Sequence, residues 1–220
     1  MATGAVLNRA LRLIARLTLG EQVRTLQKEL SRLSALRRRF CVWTPKNLLF
    51  ALVAAEDRRF FEHQGVDIVA IARACWKFLW RGQMEGASTL EQQHVRTVTA
   101  RRERTLRRKV REILLANCVG EALGKSDVLE VYLSIAYFGW KMQGVARACG
   151  ALGYELSTLS ASQAADLVAR LKYPEPRYRD AQWQTRVKKR VTYIERLLSR
   201  GRGVAECHQL AGGTNDAIPT

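Results

Sequence analysis

Leu48-Leu49-Phe50-Ala51-Leu52-Val53-Ala54-Ala55-Glu56-Asp57-Arg58-Arg59-Phe60-Phe61-Glu62-His63-Gln64-Gly65-Val66-Asp67 joins an apolar run to a dense block of charge. The apolar half reads as a buried helix. Thr44-Pro45 sets its start, with proline in the first turn, where a missing N–H costs nothing. Glu56 then stands where an apolar wall ends and charge begins. Partial desolvation raises the pKa of a carboxylate in such a place and suits it to accept a proton near neutral pH. The same residue also fits a solvated turn, paired with Arg58 and Arg59, since structural ion pairs perturb carboxylates too.

Upstream, residues 5–17 place Leu7, Leu11 and Ile14 on one helical face and Arg9, Arg12 and Arg16 largely on another. A basic amphipathic helix of this kind can lie in a membrane interface or pack on the domain as a surface helix. Leu19, Val23, Leu26, Leu30 and Leu33 then recur at alternating spacings of four and three. About two heptads are too few for a coiled-coil dimer and fit intramolecular packing.

Downstream, Val66 to Arg81 reads as a helix ending in Trp76, Phe78 and Trp80 beside Lys77 and Arg81, a mixture suited to a membrane–water boundary or a plain core contact. Gly82 to Thr89 reads as a loop in which Ser88 or Thr89 caps the helix carrying Gln92 and Gln93. Arg101, Arg104, Arg108 and Arg111 fall at helical spacings and predict one cationic stripe running into Glu112. A second carboxylate therefore sits where a basic surface meets apolar Ile113-Leu114-Leu115-Ala116. Lys125–Tyr137, Ala161–Leu171 and Val187–Leu198 read as further helices. No strand-turn-strand pattern or internal repeat is evident, so the expected fold class is all-α.

The 220 residues suit one domain with appendages: a basic helical segment over 1–42, a main domain over 43–200 and a loose tail over 201–220. Lys and Arg total 37 against 20 Asp and Glu, a formal charge of +17, which implies an anionic partner: nucleic acid, an acidic membrane surface or a phosphate-bearing substrate. Cys41, Cys75, Cys118, Cys149 and Cys207 form no Cys-x-x-Cys pair and read mostly as core fillers. Gly120-Glu121-Ala122-Leu123-Gly124-Lys125-Ser126 is one residue short of a phosphate-binding loop and follows a helical pattern. It reads as a helix stop and a helix start. No apolar run approaches the roughly 18–20 residues that span a bilayer.

Taken together these motifs resemble those of the peptidoglycan glycosyltransferases, glycosyltransferase family 51, of the monofunctional transglycosylase type and of class A penicillin-binding proteins. Glu56-Asp57-Arg58-Arg59-Phe60 through His63, Gly65 and Asp67 is similar to the first motif. Gly86-Ala87-Ser88-Thr89 with Gln92-Gln93 is similar to the second, and Arg108-Lys109-Val110-Arg111-Glu112 to the third. Lys125, Leu129-Glu130, Tyr132-Leu133 and Tyr137-Phe138-Gly139 resemble the fourth, and Lys189-Arg190-Val191 the closing basic motif. Five motifs in order across residues 43–198 make a specific signal.

The resemblance implies a lysozyme-like helical lobe with a smaller membrane-facing jaw lobe. It implies polymerisation of lipid II into glycan strands with release of undecaprenyl diphosphate. Glu56 would be the general base, and Glu112 would orient the diphosphate or a divalent cation, Mg or Mn. Arg96, Arg104, Arg111 and Arg190 would stabilise charge on the diphosphate, with Arg108, Lys109, Ser88, Thr89, Gln92 and Gln93 also binding substrate. Expected partners are lipid II, the growing strand, the membrane surface and other cell-wall synthesis proteins, with no nucleic acid. The expected place is peripheral, on the outer (periplasmic) face of the cytoplasmic membrane. No Ser-x-x-Lys or Lys-Thr-Gly of a transpeptidase is present in this sequence.

Departures from the family pattern are Ala87 for glycine, Glu91 for threonine, Arg96 for lysine, Ser134 for asparagine and Gln163 for glutamate. Glu91 would bring negative charge near the donor. Two other readings stand beside the enzyme: a relative that binds lipid II without turning it over, and a helical protein whose arginine stripe contacts nucleic-acid phosphates.

Overall fold

The computed structural model describes residues 2–39, 44–82, 86–100, 103 and 105–200. Its helices are α1 (Ala2–Arg39), α2 (Lys46–Glu56), α3 (Ile68–Arg81), α4 (Leu90–Thr99), α5 (Leu106–Ala122), α6 (Lys125–Ile135), α7 (Val145–Leu152), α8 (Ala161–Lys172) and α9 (Ala181–Ser199). A hairpin of β1 (Tyr137–Gly139) and β2 (Met142–Gln143) is the sheet structure among the described residues. The fold class is all-α, as expected. The chain divides into two compact units, residues 1–42 with 59–132 and residues 43–58 with 133–220.

In the first unit α1 packs along α5, and α4 packs on both. Val23, Leu26 and Leu30 of the expected seam are buried, so that seam serves intramolecular packing. Each fully buried leucine contributes about 1.5–3 kcal/mol. Charged residues fix the ends of α1. Arg12 and Arg16 reach Glu121 of α5, and Arg37 reaches Asp127 at 2.9 Å and also Glu130 of α6. Asp67 caps α3 by accepting from Ala70 N at 3.0 Å, so that helix starts two residues later than Val66. Gly65 lies against α5 at φ 113°, where a Cβ would come within 2.5 Å of the Ala116 carbonyl oxygen. Only glycine fits that approach.

The second unit is built from α2, α8 and α9 in mutual contact, with the hairpin and α7 beside α8. Leu48, Ala51, Leu52 and Val53 of α2 are fully buried, which realises the apolar run of the sequence. Asp180 caps α9 through Trp183 N, and the Trp183 indole donates to the carbonyls of Tyr173 and Pro174, which closes the end of α8.

Several expectations change. The helix read through Tyr137 ends at Ile135, and a hairpin follows that sequence periodicity did not reveal. Its strands have three and two residues, too short for a period-two signal, and are pinned by a bridge from Gly139 to Glu175. α7 was not anticipated, and α9 begins six residues before the expected Val187. The arginine stripe is not one helix: Ala100 adopts a left-handed conformation that ends α4, and Thr105 caps a new start at Leu106. Arg108 and Arg111 lie on α5, while Arg101, Arg104, the expected loose tail, Cys41 and Cys207 lie outside the described residues. Cys118 and Cys149 are buried, but Cys75 is exposed and fills no core. Burial raises both buried thiols, Cys149 to about 11. The Gly120–Ser126 stretch is the expected helix stop and start.

Candidate active site

The two carboxylates singled out in the sequence, Glu56 and Glu112, belong to different units. In the second unit, α2 has an apolar face that buries against α8 and α9 and delivers Glu56 as its last residue, largely shielded from solvent. One partner comes from α9, far along the chain. Arg190 of α9 donates from Nη2 to Glu56 Oε1 at 2.9 Å and to the Ala55 carbonyl at 2.9 Å. Arg59 belongs to the first unit and pairs there with Glu62 and Asp67. Arg190 also lies 5.2 Å from the Tyr193 ring. The guanidinium therefore fixes both the carboxylate and the helix end that carries it.

In the first unit, Glu112 is buried on α5. Arg96 of α4 grips it with a two-pronged fork, Nε to Oε1 at 3.0 Å and Nη2 to Oε2 at 3.2 Å. Arg108, one turn before Glu112, donates to the same Oε1. Arginine at position 96, where the family pattern has lysine, makes a bidentate grip that a single ammonium cannot reproduce. The hydrogen bond to Glu112 raises the Arg96 pKa. Lys109 stands beside this cluster, its Nζ donating to Ser88 Oγ at 2.8 Å and to Gln92 Oε1 at 2.6 Å. Burial lowers the Lys109 pKa, partly countered by the Glu112 charge and reinforced by Arg96 and Arg108. Arg107, Arg108 and Arg111 with Glu103 and Thr105 line a concavity of about 160 Å³.

The second motif supports this cluster from below. Thr89, not Ser88, is the helix cap: its Oγ1 accepts from Gln92 N and donates to the Gly65 carbonyl at 2.7 Å. Tyr132 donates to Gln93 Oε1 at 2.7 Å. The amide Nε2 of fully buried Gln92 has no hydrogen-bond partner among the described residues. Ser88 and Thr89 before α4, Gln92, Gln93 and Arg96 on it, and Arg108, Lys109 and Glu112 on α5 are thus brought together, with Arg111 on the adjoining concavity. Arg104 lies outside the described residues, and Arg190 belongs to the Glu56 locus.

Glu91 is a paired charge. It is buried, and Lys125 Nζ sits 2.6 Å from its Oε1. Lys125 also donates to the Phe60 carbonyl and lies 3.9 Å over the Phe60 ring. The negative charge is matched internally and ties the Phe60 turn to α4. Sequence reasoning gave Lys125 no partner, because the pairing spans 34 residues. Gln163 replaces glutamate without loss of its local task. It completes a capping box with Ser160, which either side chain can do.

Glu112 is a poor place for a divalent cation. Both its oxygens accept from guanidinium groups, and Arg96, Arg108 and Lys109 crowd it. Mg²⁺ or Mn²⁺ takes about six oxygen ligands, not one carboxylate among cations. No step is assigned to a metal there.

The profile of the transglycosylase family matches residues 26–198. The chain is 33% identical to penicillin-binding protein 1A of Rickettsia typhi over 163 residues, 71% of this chain and 21% of that protein. It is 37% identical to penicillin-binding protein 1A of Vibrio cholerae over 132 residues (59% and 16%), and 43% identical to that of Escherichia coli K12 over 105 residues (47% and 12%). The chain thus belongs to the transglycosylase family, the peptidoglycan glycosyltransferases whose motifs it carries. It spans about a fifth or less of the length of these relatives.

Proposed function

We propose that the chain polymerises lipid II into glycan strands and releases undecaprenyl diphosphate. The acceptor sugar hydroxyl attacks the anomeric carbon of the donor, its proton passes to Glu56, and the bond from that carbon to the diphosphate oxygen breaks with inversion. Arg190 holds Glu56 in position. On the donor side, cations must stand ready where negative charge accumulates on the diphosphate. Arg96, Arg108, Lys109 and Arg111 supply that charge, joined by Arg104 by resemblance. Glu112 serves as the frame that sets two of these guanidiniums. The observation that carries the reading is this preset cluster around α4 and α5, built from the second and third family motifs with Arg96 and closed by ion pairs.

The break between α4 and α5 weighs against a nucleic-acid reader, since the expected stripe is not carried on one helix. No described helix is long and apolar enough to cross a membrane. We place the protein peripherally on the outer face of the cytoplasmic membrane, where lipid II is polymerised, in contact with the growing strand and other cell-wall synthesis proteins. Incubation with lipid II in detergent, with and without a divalent cation, followed by sizing of the products, tests the reaction. Glycan chains are expected. Lipid II binding without product would instead support the silent relative, and tight salt-sensitive DNA binding without product the nucleic-acid reading.

A further inference from the structure

The N-terminal half of α1 is packed inside out. Its inward face is polar or small: Asn8 is 7% exposed, Ala15 is fully buried, and Arg12 bonds Gln64 and Glu121. The outward face is apolar. Val6, Leu7, Ala10, Leu13, Ile14 and Leu17 fall at i, i+1, i+4, i+7, i+8 and i+11, one continuous helical stripe. Val6, Leu13 and Leu17 are 66%, 59% and 77% exposed. At Leu19 the backbone leaves helical geometry (φ −131°, ψ 26°), and beyond this kink the helix buries Val23, Leu26 and Leu30. The apolar stripe thus faces solvent before the kink and the core after it.

We propose that residues 6–17 of α1 dock lengthwise on an anionic lipid surface, with the stripe in the acyl boundary and Arg9 and Arg16 at the headgroups. Three features favour lipid over a protein groove. Residues 2–20 contain no acid and three arginines, within a chain of net charge +17, so an extended anionic plane suits every position at once. Arg9 and Arg16 run along one border of the stripe, where headgroups would meet them. A second helix of the same unit, α3, also exposes Trp76, Leu79 and Trp80 beside Lys77 and Arg81, the aromatic and cationic mixture of a membrane–water boundary.

The inference rests on the proposed function only in expecting a membrane nearby, and its test contains no lipid II. The full chain is floated with phosphatidylcholine vesicles and with vesicles of phosphatidylglycerol and phosphatidylcholine. The wild type should rise with the anionic vesicles, and less so at high salt. Leu13→Glu with Leu17→Glu should lower the partition coefficient about tenfold or more, while the circular dichroism spectrum and glycan polymerisation in detergent stay unchanged. Should that pair disturb folding, Leu13→Gln with Leu17→Gln should give the same direction of change. Wild-type protein that stays down, or variants that float as well as wild type, would overturn the proposal. So would a variant that floats normally but loses an oligomer seen by light scattering, which would make the stripe a contact between copies. Loss of polymerisation in the wild type, with flotation intact, would refute the proposed reaction and leave this inference standing.

Discussion

Glu56 and Glu112 look alike in sequence, each a glutamate where charge borders an apolar run, but the molecule treats them differently. Glu56 ends a helix and meets Arg190 from a helix 134 residues away in sequence. Glu112 lies inside a helix, buried, with Arg96 on both oxygens and Arg108 on one. The first arrangement orients a carboxylate at a helix terminus through a single guanidinium that also holds the helix end. The second uses a carboxylate as a strut between cations. A glutamate's place in a motif does not reveal its task; the number and geometry of its guanidinium partners do.

This contrast can be broken by experiment. Glu56→Gln should lower polymerisation by about 10³-fold or more, with a melting temperature close to wild type. Retention of wild-type turnover would remove Glu56 as the base. Glu112→Gln should cut turnover and also destabilise the fold by about 2–3 kcal/mol, because it leaves two arginines without their counter-charge. That figure is toward the low side because Arg96 is partly solvated. Urea denaturation separates the cases: equal stability of the two variants would erase the distinction between base and strut.

The Glu91–Lys125 pair extends the contrast to ion pairs with no proposed contact to substrate. Lys125→Met leaves a buried carboxylate uncompensated and should cost about 3 kcal/mol. Combined with Glu91→Thr, the double variant should recover much of that loss in denaturant titrations. Additive losses would mean that the two residues act independently.

A smaller effect follows from His94. Burial lowers its pKa from 6.5 to about 4, and neither ring nitrogen has a hydrogen-bond partner among the described residues. The unfolded chain therefore binds this proton more tightly than the folded one. The contribution is complete above about pH 6.5 and is lost as pH falls toward 4, amounting to about 2 kcal/mol at pH 5 relative to pH 7. Unfolding curves at both pH values should show His94→Met to be less acid-sensitive than wild type by that amount. At the small end, Gln163→Glu should change stability by no more than about 0.5 kcal/mol, since the capping box accepts either residue.

Much of the fold was legible because helices announce themselves locally. The apolar spacing of α2, the proline at its start, a cap at Ser88 or Thr89 and the α5–α6 break all depend on residues within a few positions of one another. The hairpin and α7 were not legible. Strands of three and two residues carry no period, and the Gly139 bridge to Glu175 is made across 36 residues. The candidate site was legible as a set of residues through its motifs, but not as a set of partnerships. Arg190 was assigned to phosphate and is found on Glu56. Arg59 is found on Glu62 and Asp67. Glu91 was feared as a stray charge and proves to be paired.

By itself, the sequence determined that the chain is helical, strongly basic and equipped with the five motifs of its family. Those properties follow from short-range periodicity and from residue identity. Tertiary structure alone decided which cation meets which carboxylate and which face of α1 turns outward. Electrostatic pairing and burial act through space, between residues that the chain order keeps far apart.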